Sequence, residues 1–208
     1  MDISFNSKLY LLLGLFIGLI VGMNLLGSKI VGLFGLSVSV AIFMVPLTFL
    51  ITDIVAEVYG KKLAKQFVLT AIATVVLVLL FMAVFIVLEP HPRFTFDEEY
   101  KTVFSVSARI MVASMIAFAF AQFHDIWAFE FWKRKTHGKY LWLRNNLSTA
   151  ISQGIDTFVF MMIAFYQVTP QFDLFFILQL AFPYYLLKVG FAALDTPFVY
   201  LGVQWLKK

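Results

Sequence analysis

The sequence predicts an all-α integral membrane protein with six transmembrane helices in one domain spanning residues 1–208. Three observations carry that reading. The chain is 62% hydrophobic and only 13% charged, with 25 Phe among 208 residues, a composition too apolar for a water-covered surface. Six apolar stretches of span length use nearly all of it, at about 1.5 Å of rise per residue across roughly 30 Å of hydrocarbon. These stretches are continuously apolar rather than alternating, which excludes a transmembrane barrel and leaves helices to satisfy the backbone.

The first span covers 8–28. Its apolar run is long for a signal-peptide core and no small-residue cleavage site ends it, so it is expected to stay as a helix. Gly14, Gly18 and Gly22 recur every fourth residue along it, a small-residue stripe that permits close helix approach. Packing within the chain is the default expectation for that stripe, with a homodimer or partner seam as the other use. The second span, 37–59, carries Thr52-Asp53 and Glu57. The carboxylates at i and i+4 share a face, and Lys61 is a further i+4 away as the expected partner of Glu57. The third span, 66–88, is apolar throughout. The fourth, 105–128, holds Arg109, Ser114, Gln122 and Asp125. The fifth, 146–168, bears a polar stripe of Asn146, Ser148 or Thr149, Gln153 and Asp156 that lipid would reject and that should face the bundle interior. The sixth, 174–204, contains Lys188 and Asp195. Pro46, Pro183 and Pro197 are expected to kink or interrupt their helices near these polar positions.

Orientation follows from the basic residues. Eleven lie at Lys8, Lys61, Lys62, Lys65, Lys133, Arg134, Lys135, Lys139, Arg144, Lys207 and Lys208, against Lys29, Arg93 and Lys101 on the other side. The positive-inside rule therefore places both termini in the cytoplasm and the loops near 29–36, 89–104 and 169–173 outside. The net charge of +4 is explained by orientation and lipid contact, and nothing calls for nucleic acid. With no cysteine and three scattered histidines, thiolate chemistry is excluded and no local metal-ligand motif or cofactor signature is present.

Asp53, Asp125, Asp156 and Asp195 stand at depths where a bilayer tolerates charge poorly, and only Arg109 and Lys188 oppose them among the deep bases. Such acids mark a polar solute path, bind a proton or cation, or await a donor-rich ligand. Asp53-Ile54 precedes Lys61-Lys62 by the same eight residues that separate Asp125-Ile126 from Lys133-Arg134. This echo sets both acids at one depth, about 12 Å above the cytoplasmic edge. A second echo relates Asp156-Thr157 to Asp195-Thr196. Asn24 and Ser28 in the first span, with Ser114, Gln122, Asn145, Asn146, Ser148 and Gln153, add neutral hydrogen-bonding groups beside the charges.

Taken in order, Thr52-Asp53-Ile54-Val55-Ala56-Glu57-Val58-Tyr59-Gly60, Arg109 followed by Ala113-Ser114, Gln122 with Asp125, Ser148-Thr149 with Gln153 and Asp156-Thr157, and Lys188 resemble the queuosine precursor transporter family, also called the vitamin uptake transporter family. The resemblance implies a six-helix inner-membrane importer of 7-deazaguanine precursors, either 7-cyano- or 7-aminomethyl-7-deazaguanine. It also implies a fold related to the substrate-binding subunits of energy-coupling-factor transporters. The expected substrate-binding set is Asn24, Asp53, Arg109, Ser114, Gln122, Asp125, Asn146, Ser148, Gln153, Asp156, Lys188 and Asp195. The ligand's chemistry agrees: N1–H and the 2-amino group form a donor edge for carboxylates, O6 accepts from amide or cationic donors, and the flat ring suits aromatic faces. Two rival readings use the same residues. One is a capture subunit that docks an ATP-driven partner on the Gly14/Gly18/Gly22 face, since no nucleotide-binding motif is present. The other is an intramembrane hydrolase with paired aspartates.

Overall fold

The computed structural model describes residues 3–27, 29–33, 35–166 and 173–207; the side chains at 3–6, 30, 36, 37, 106, 107 and 109 lie outside that description. Ser28 and the end of the predicted fifth span therefore fall outside it, as does the side chain of Arg109, whose backbone is helical. The element order is α1 (Ile3–Leu26), β1 (Ile30–Leu33), β2 (Leu36–Ser39), a 3-10 turn (Val40–Phe43), α2 (Val45–Tyr59), α3 (Lys61–Val87), α4 (Asp97–Lys135), α5 (Leu141–Phe165) and α6 (Leu174–Lys207). Among the described residues six helical segments are long and apolar enough to cross a membrane, as the composition requires.

Three features differ from the sequence reading. Ile30–Leu33 and Leu36–Ser39 pair antiparallel, Val31 facing Val38 and Leu33 facing Leu36, where the sequence predicts that the second helix begins at 37. The hairpin turns at Gly35, whose φ of +79° suits a residue without a Cβ. Ser39 then stops the strand: its hydroxyl accepts from Ala41 N–H at 3.1 Å and donates to the Gly27 carbonyl at 2.5 Å, tying the hairpin to the end of α1. Second, α4 has 39 residues, about 58 Å of helix, and so reaches beyond the hydrocarbon at both ends. Its first turn holds Asp97, Glu98 and Glu99 and its last Lys133, Arg134 and Lys135, the charge order that complements the helix dipole. Third, Pro46 sits in the first turn of α2, where a missing N–H costs nothing, and α6 runs unbroken through Pro183 and Pro197.

The core joins α1, α3 and α4 through Phe16, fully buried, whose ring lies 6.0 Å from that of Phe67 and 6.1 Å from that of Phe118. Ala56, Ala64, Ala71, Ala117 and Ala121 are wholly buried, so small residues set the helix spacing where lipid supplies no hydrophobic drive. The outer surface stays apolar: Leu69, Leu77, Leu80, Phe81 and Phe85 of α3 are all exposed, the pattern of a lipid-facing helix. A Cβ added at Gly14 or Gly18 would meet nothing within 4 Å, and only Gly22 approaches a neighbour, Met44 Sδ at 3.6 Å. Among the described residues the glycine stripe thus packs within the chain at Gly22 and meets open space at Gly14 and Gly18.

Candidate functional site

A cavity of about 560 Å³ lies in the half of the bundle nearer the hairpin, among α1, β2, α4, α5 and α6. That volume falls within the range of small-molecule sites, roughly 300–1,000 Å³. Most of its wall is apolar, and the polar groups converge from four helices: Asn24, Ser114, Asp156, Gln179 and Lys188, with Phe160, Phe165 and Tyr184 supplying rings. Lys188 Nζ donates to Asp156 Oδ2 at 2.5 Å and stands 5.0 Å from the centre of the Tyr184 ring. Both residues are buried, so each charge is tolerated only because the other is present. Asn24 donates its amide N–H to the Ile20 carbonyl at 2.8 Å, while its Oδ1 is buried with no hydrogen-bond partner among the described residues. This fixes the amide orientation and leaves an acceptor unfilled beside the cavity.

A second polar layer crosses α2, α4 and α5. Gln122 Nε2 lies 3.4 Å from Thr48 Oγ1, and Thr52 Oγ1 lies 3.1 Å from Gln122 Oε1. One turn on, Asp53 faces Asp125, with Thr149 donating to Asp53 Oδ2 at 3.4 Å. Both aspartates are completely enclosed. The equal depth read from the sequence echo therefore has a physical counterpart: the two carboxyl groups meet.

A third group closes the opposite end of α2, α4 and α5. Glu57 receives Arg144 Nη1 at 2.8 Å and Lys133 Nζ at 3.0 Å. Lys133 also donates to the Glu57 carbonyl at 2.9 Å, and Arg144 to the Gly138 carbonyl at 3.1 Å. Arg144 is 1% exposed and its guanidinium lies 5.3 Å from the Phe129 ring centre. The expected Glu57–Lys61 pair is replaced by this triad, because Arg144, 87 residues away, presents a planar fork from a neighbouring helix that a solvated lysine cannot match.

The predicted site residues thus fall into groups. Asn24, Ser114, Asp156 and Lys188 line the cavity; Asp53, Gln122, Asp125 and Ser148 belong to the buried layer. Asn146 is hydrogen-bonded to Thr196 Oγ1 at 2.8 Å across α5 and α6, and Asp195 is half-buried with one oxygen unpartnered among the described residues. Gln153 is fully buried with neither amide atom hydrogen-bonded among the described residues. Gln179 and Tyr184 were not singled out in the sequence, being ordinary residues in an apolar run. Arg144 was counted as a cytoplasmic charge; its place at the head of the Asn145–Asp156 polar stripe was the signal that it turns inward.

A six-helix membrane bundle with a charged cavity among its spans has the form of a membrane solute transporter. The family model described as "Putative vitamin uptake transporter" matches residues 39–202. Over 178 residues the chain is 31% identical to the "Probable queuosine precursor transporter" of Bacillus subtilis (strain 168), covering 85% of this chain and 76% of that protein. No solved structure matches. The chain belongs to the vitamin uptake and queuosine precursor transporter family, and is a multi-pass membrane protein.

Proposed function

We propose that this protein imports a 7-deazaguanine precursor of queuosine, 7-cyano- or 7-aminomethyl-7-deazaguanine, across the plasma (inner) membrane, with both termini in the cytoplasm. The observation that carries the reading is the buried Asp156–Lys188 pair on the wall of the 560 Å³ cavity. The base's donor edge, N1–H with the 2-amino group, meets acceptors at Asp156 and the unfilled Asn24 Oδ1. Its O6 accepts a hydrogen bond from Lys188 as that ammonium turns from Asp156. The ring lies against Tyr184 or Phe160, where flat apolar area is gained without loss of hydrogen bonds. An aminomethyl substituent adds a cation that Asp156 can also hold.

The test is uptake of labelled 7-cyano-7-deazaguanine by cells that cannot make it, in competition with unlabelled bases. Both deazaguanines should compete. Adenine should not, because it presents an acceptor at N1 and no 2-amino donor, leaving the buried acceptors unsatisfied. Equal competition by adenine would remove the donor-edge argument and the substrate assignment with it.

A further inference from the structure

The cavity accounts for Asp156 and leaves the Asp53–Asp125 pair without a task. Among the described residues neither oxygen of Asp125 has a hydrogen-bond partner, nor does Asp53 Oδ1. Donors are close by but committed. Ser148, Thr149 and Ser152 surround Asp125, and each hydroxyl has one proton: Ser148 directs it to the Asn145 carbonyl at 3.2 Å, Ser152 to the Ser148 carbonyl at 2.8 Å, and Thr149 to Asp53 at 3.4 Å. His124 Nδ1, 2.9 Å from Ser152 Oγ, must then donate to that oxygen, and its proton does not reach Asp125 either. Two fully enclosed carboxyl groups in contact repel each other unless a proton lies between them, and the neighbouring hydroxyls are turned to backbone carbonyls and to Asp53.

The charges around the pair give the same count. The groups that act on it are Arg144 from α5, whose charge is felt at Asp53, and His124 on α4 through Ser152; Glu57 and Lys133 follow through Arg144. The Glu57–Arg144–Lys133 triad holds one surplus positive charge. A carboxyl pair with a single proton holds one negative charge, which balances the triad's one surplus positive charge.

We infer that Asp53 and Asp125 share one bound proton and form the coupling site of a proton-driven importer. This rests on the transport reading for its last step and on the geometry alone for the proton. The proton enters as water-borne H⁺ from outside, sits between the two carboxyl groups, and leaves to the cytoplasm, so that one H⁺ accompanies the solute and no other species is consumed. When it leaves, the pair carries two negative charges. Ser148 and Ser152 can then swing their O–H groups from backbone carbonyls onto Asp125, and Thr149 already serves Asp53. That rearrangement loosens hydrogen bonds along one face of α5, the helix that carries both Asp156 and Arg144, and so links the proton to the cavity and to the ion triad at the far end.

Two measurements test it. Infrared difference spectra of the purified protein at neutral pH, free of any solute, should show a protonated carboxyl stretch that is lost in both Asp53→Asn and Asp125→Asn; a band unchanged in both variants would overturn the proton site. In proteoliposomes given labelled 7-cyano-7-deazaguanine outside, an inwardly directed proton gradient should drive at least severalfold accumulation inside that a protonophore abolishes. Asp125→Asn should lose that accumulation yet keep solute counterflow, which needs no net proton movement. Accumulation indifferent to the protonophore, or loss of counterflow in both asparagine variants, would defeat the coupling role. Should the wild type show the infrared band but move no deazaguanine, the proton site stands and the substrate assignment falls.

Discussion

At the scale of single residues, the energetics turn on whether a charge loses its partner inside or outside the protein. Asp156→Asn keeps the shape of the acid but removes the charge that faces the cavity. A hydrogen bond to a charged group is worth about 1.5–3 kcal/mol, so uptake should fall roughly ten- to hundredfold, with membrane insertion intact. The same change leaves Lys188 buried without its counter-ion. The double variant Asp156→Asn with Lys188→Met should therefore regain thermal stability while uptake stays lost; recovery of transport would show that the pair serves only structure. Glu57 calls for the opposite emphasis. Removing it strands an arginine that is 1% exposed, so Glu57→Gln should destabilise by about 3 kcal/mol. Lys133→Gln, removing a side chain 29% exposed, should cost about 1 kcal/mol or less. Melting curves in detergent will order the two, and equal effects would mean that Arg144 is satisfied by Gly138 and Phe129 alone.

At the scale of elements, what could be read in the sequence was whatever repeats within one helix. Asp53 and Asp125 announced their shared depth through identical offsets to basic pairs, and the polar stripe of α5 announced its inward face. Pairings between helices were not legible: Glu57 has a lysine at the ideal i+4 spacing and still turns to Arg144, because a local i,i+4 ion pair contributes only about 0.5 kcal/mol against a two-pronged contact within the bundle. The hairpin at 30–39 was masked by its apolarity, although Ser37 and Ser39 alternating with Leu36 and Val38 is a period of two. Pro183 and Pro197 do not interrupt α6, since neighbouring helices can resatisfy the freed carbonyls. Close approach is equally invisible in sequence. Gly202 on α6 and Gly18 on α1 look alike, yet a Cβ at Gly202 would stand 2.3 Å from Ile54 Cδ1 and 3.0 Å from its Cγ1, while one at Gly18 meets open space. Ile54 is 5% exposed and has little room to turn. Gly202→Ala should then cost on the order of 1–3 kcal/mol by forcing α2 and α6 apart, and Gly18→Ala should change stability by less than about 0.5 kcal/mol. Thermal unfolding of the two variants side by side checks this, and a reversed order would contradict the helix crossing.

At the scale of the whole molecule, the layers are stacked along the bundle: the cavity toward the hairpin, the carboxyl pair inward of it, and the ion triad at the end where α2 and α4 finish and α5 begins. On α5 Arg144 and Asp156 are twelve residues apart, about 18 Å of helix, so the cavity and the triad cannot touch and must communicate through the layer between them. Which way this stack points sets which face of the membrane the cavity meets. With Lys133, Arg134 and Lys135 closing α4 and Asp97, Glu98 and Glu99 opening it, the positive-inside rule favours the proposed orientation, in which the triad is inside and the cavity toward the exterior. The chain has no cysteine, so single probes report cleanly. Glu98 and Lys139 are both exposed and lie beyond opposite ends of the span in α4 and its following turn. A cysteine at Glu98 should react with a membrane-impermeant maleimide added to intact cells, and one at Lys139 should react only after the membrane is opened. The opposite labelling would turn the stack over, put the cavity on the cytoplasmic side, and overturn the proposed entry of solute and proton from outside.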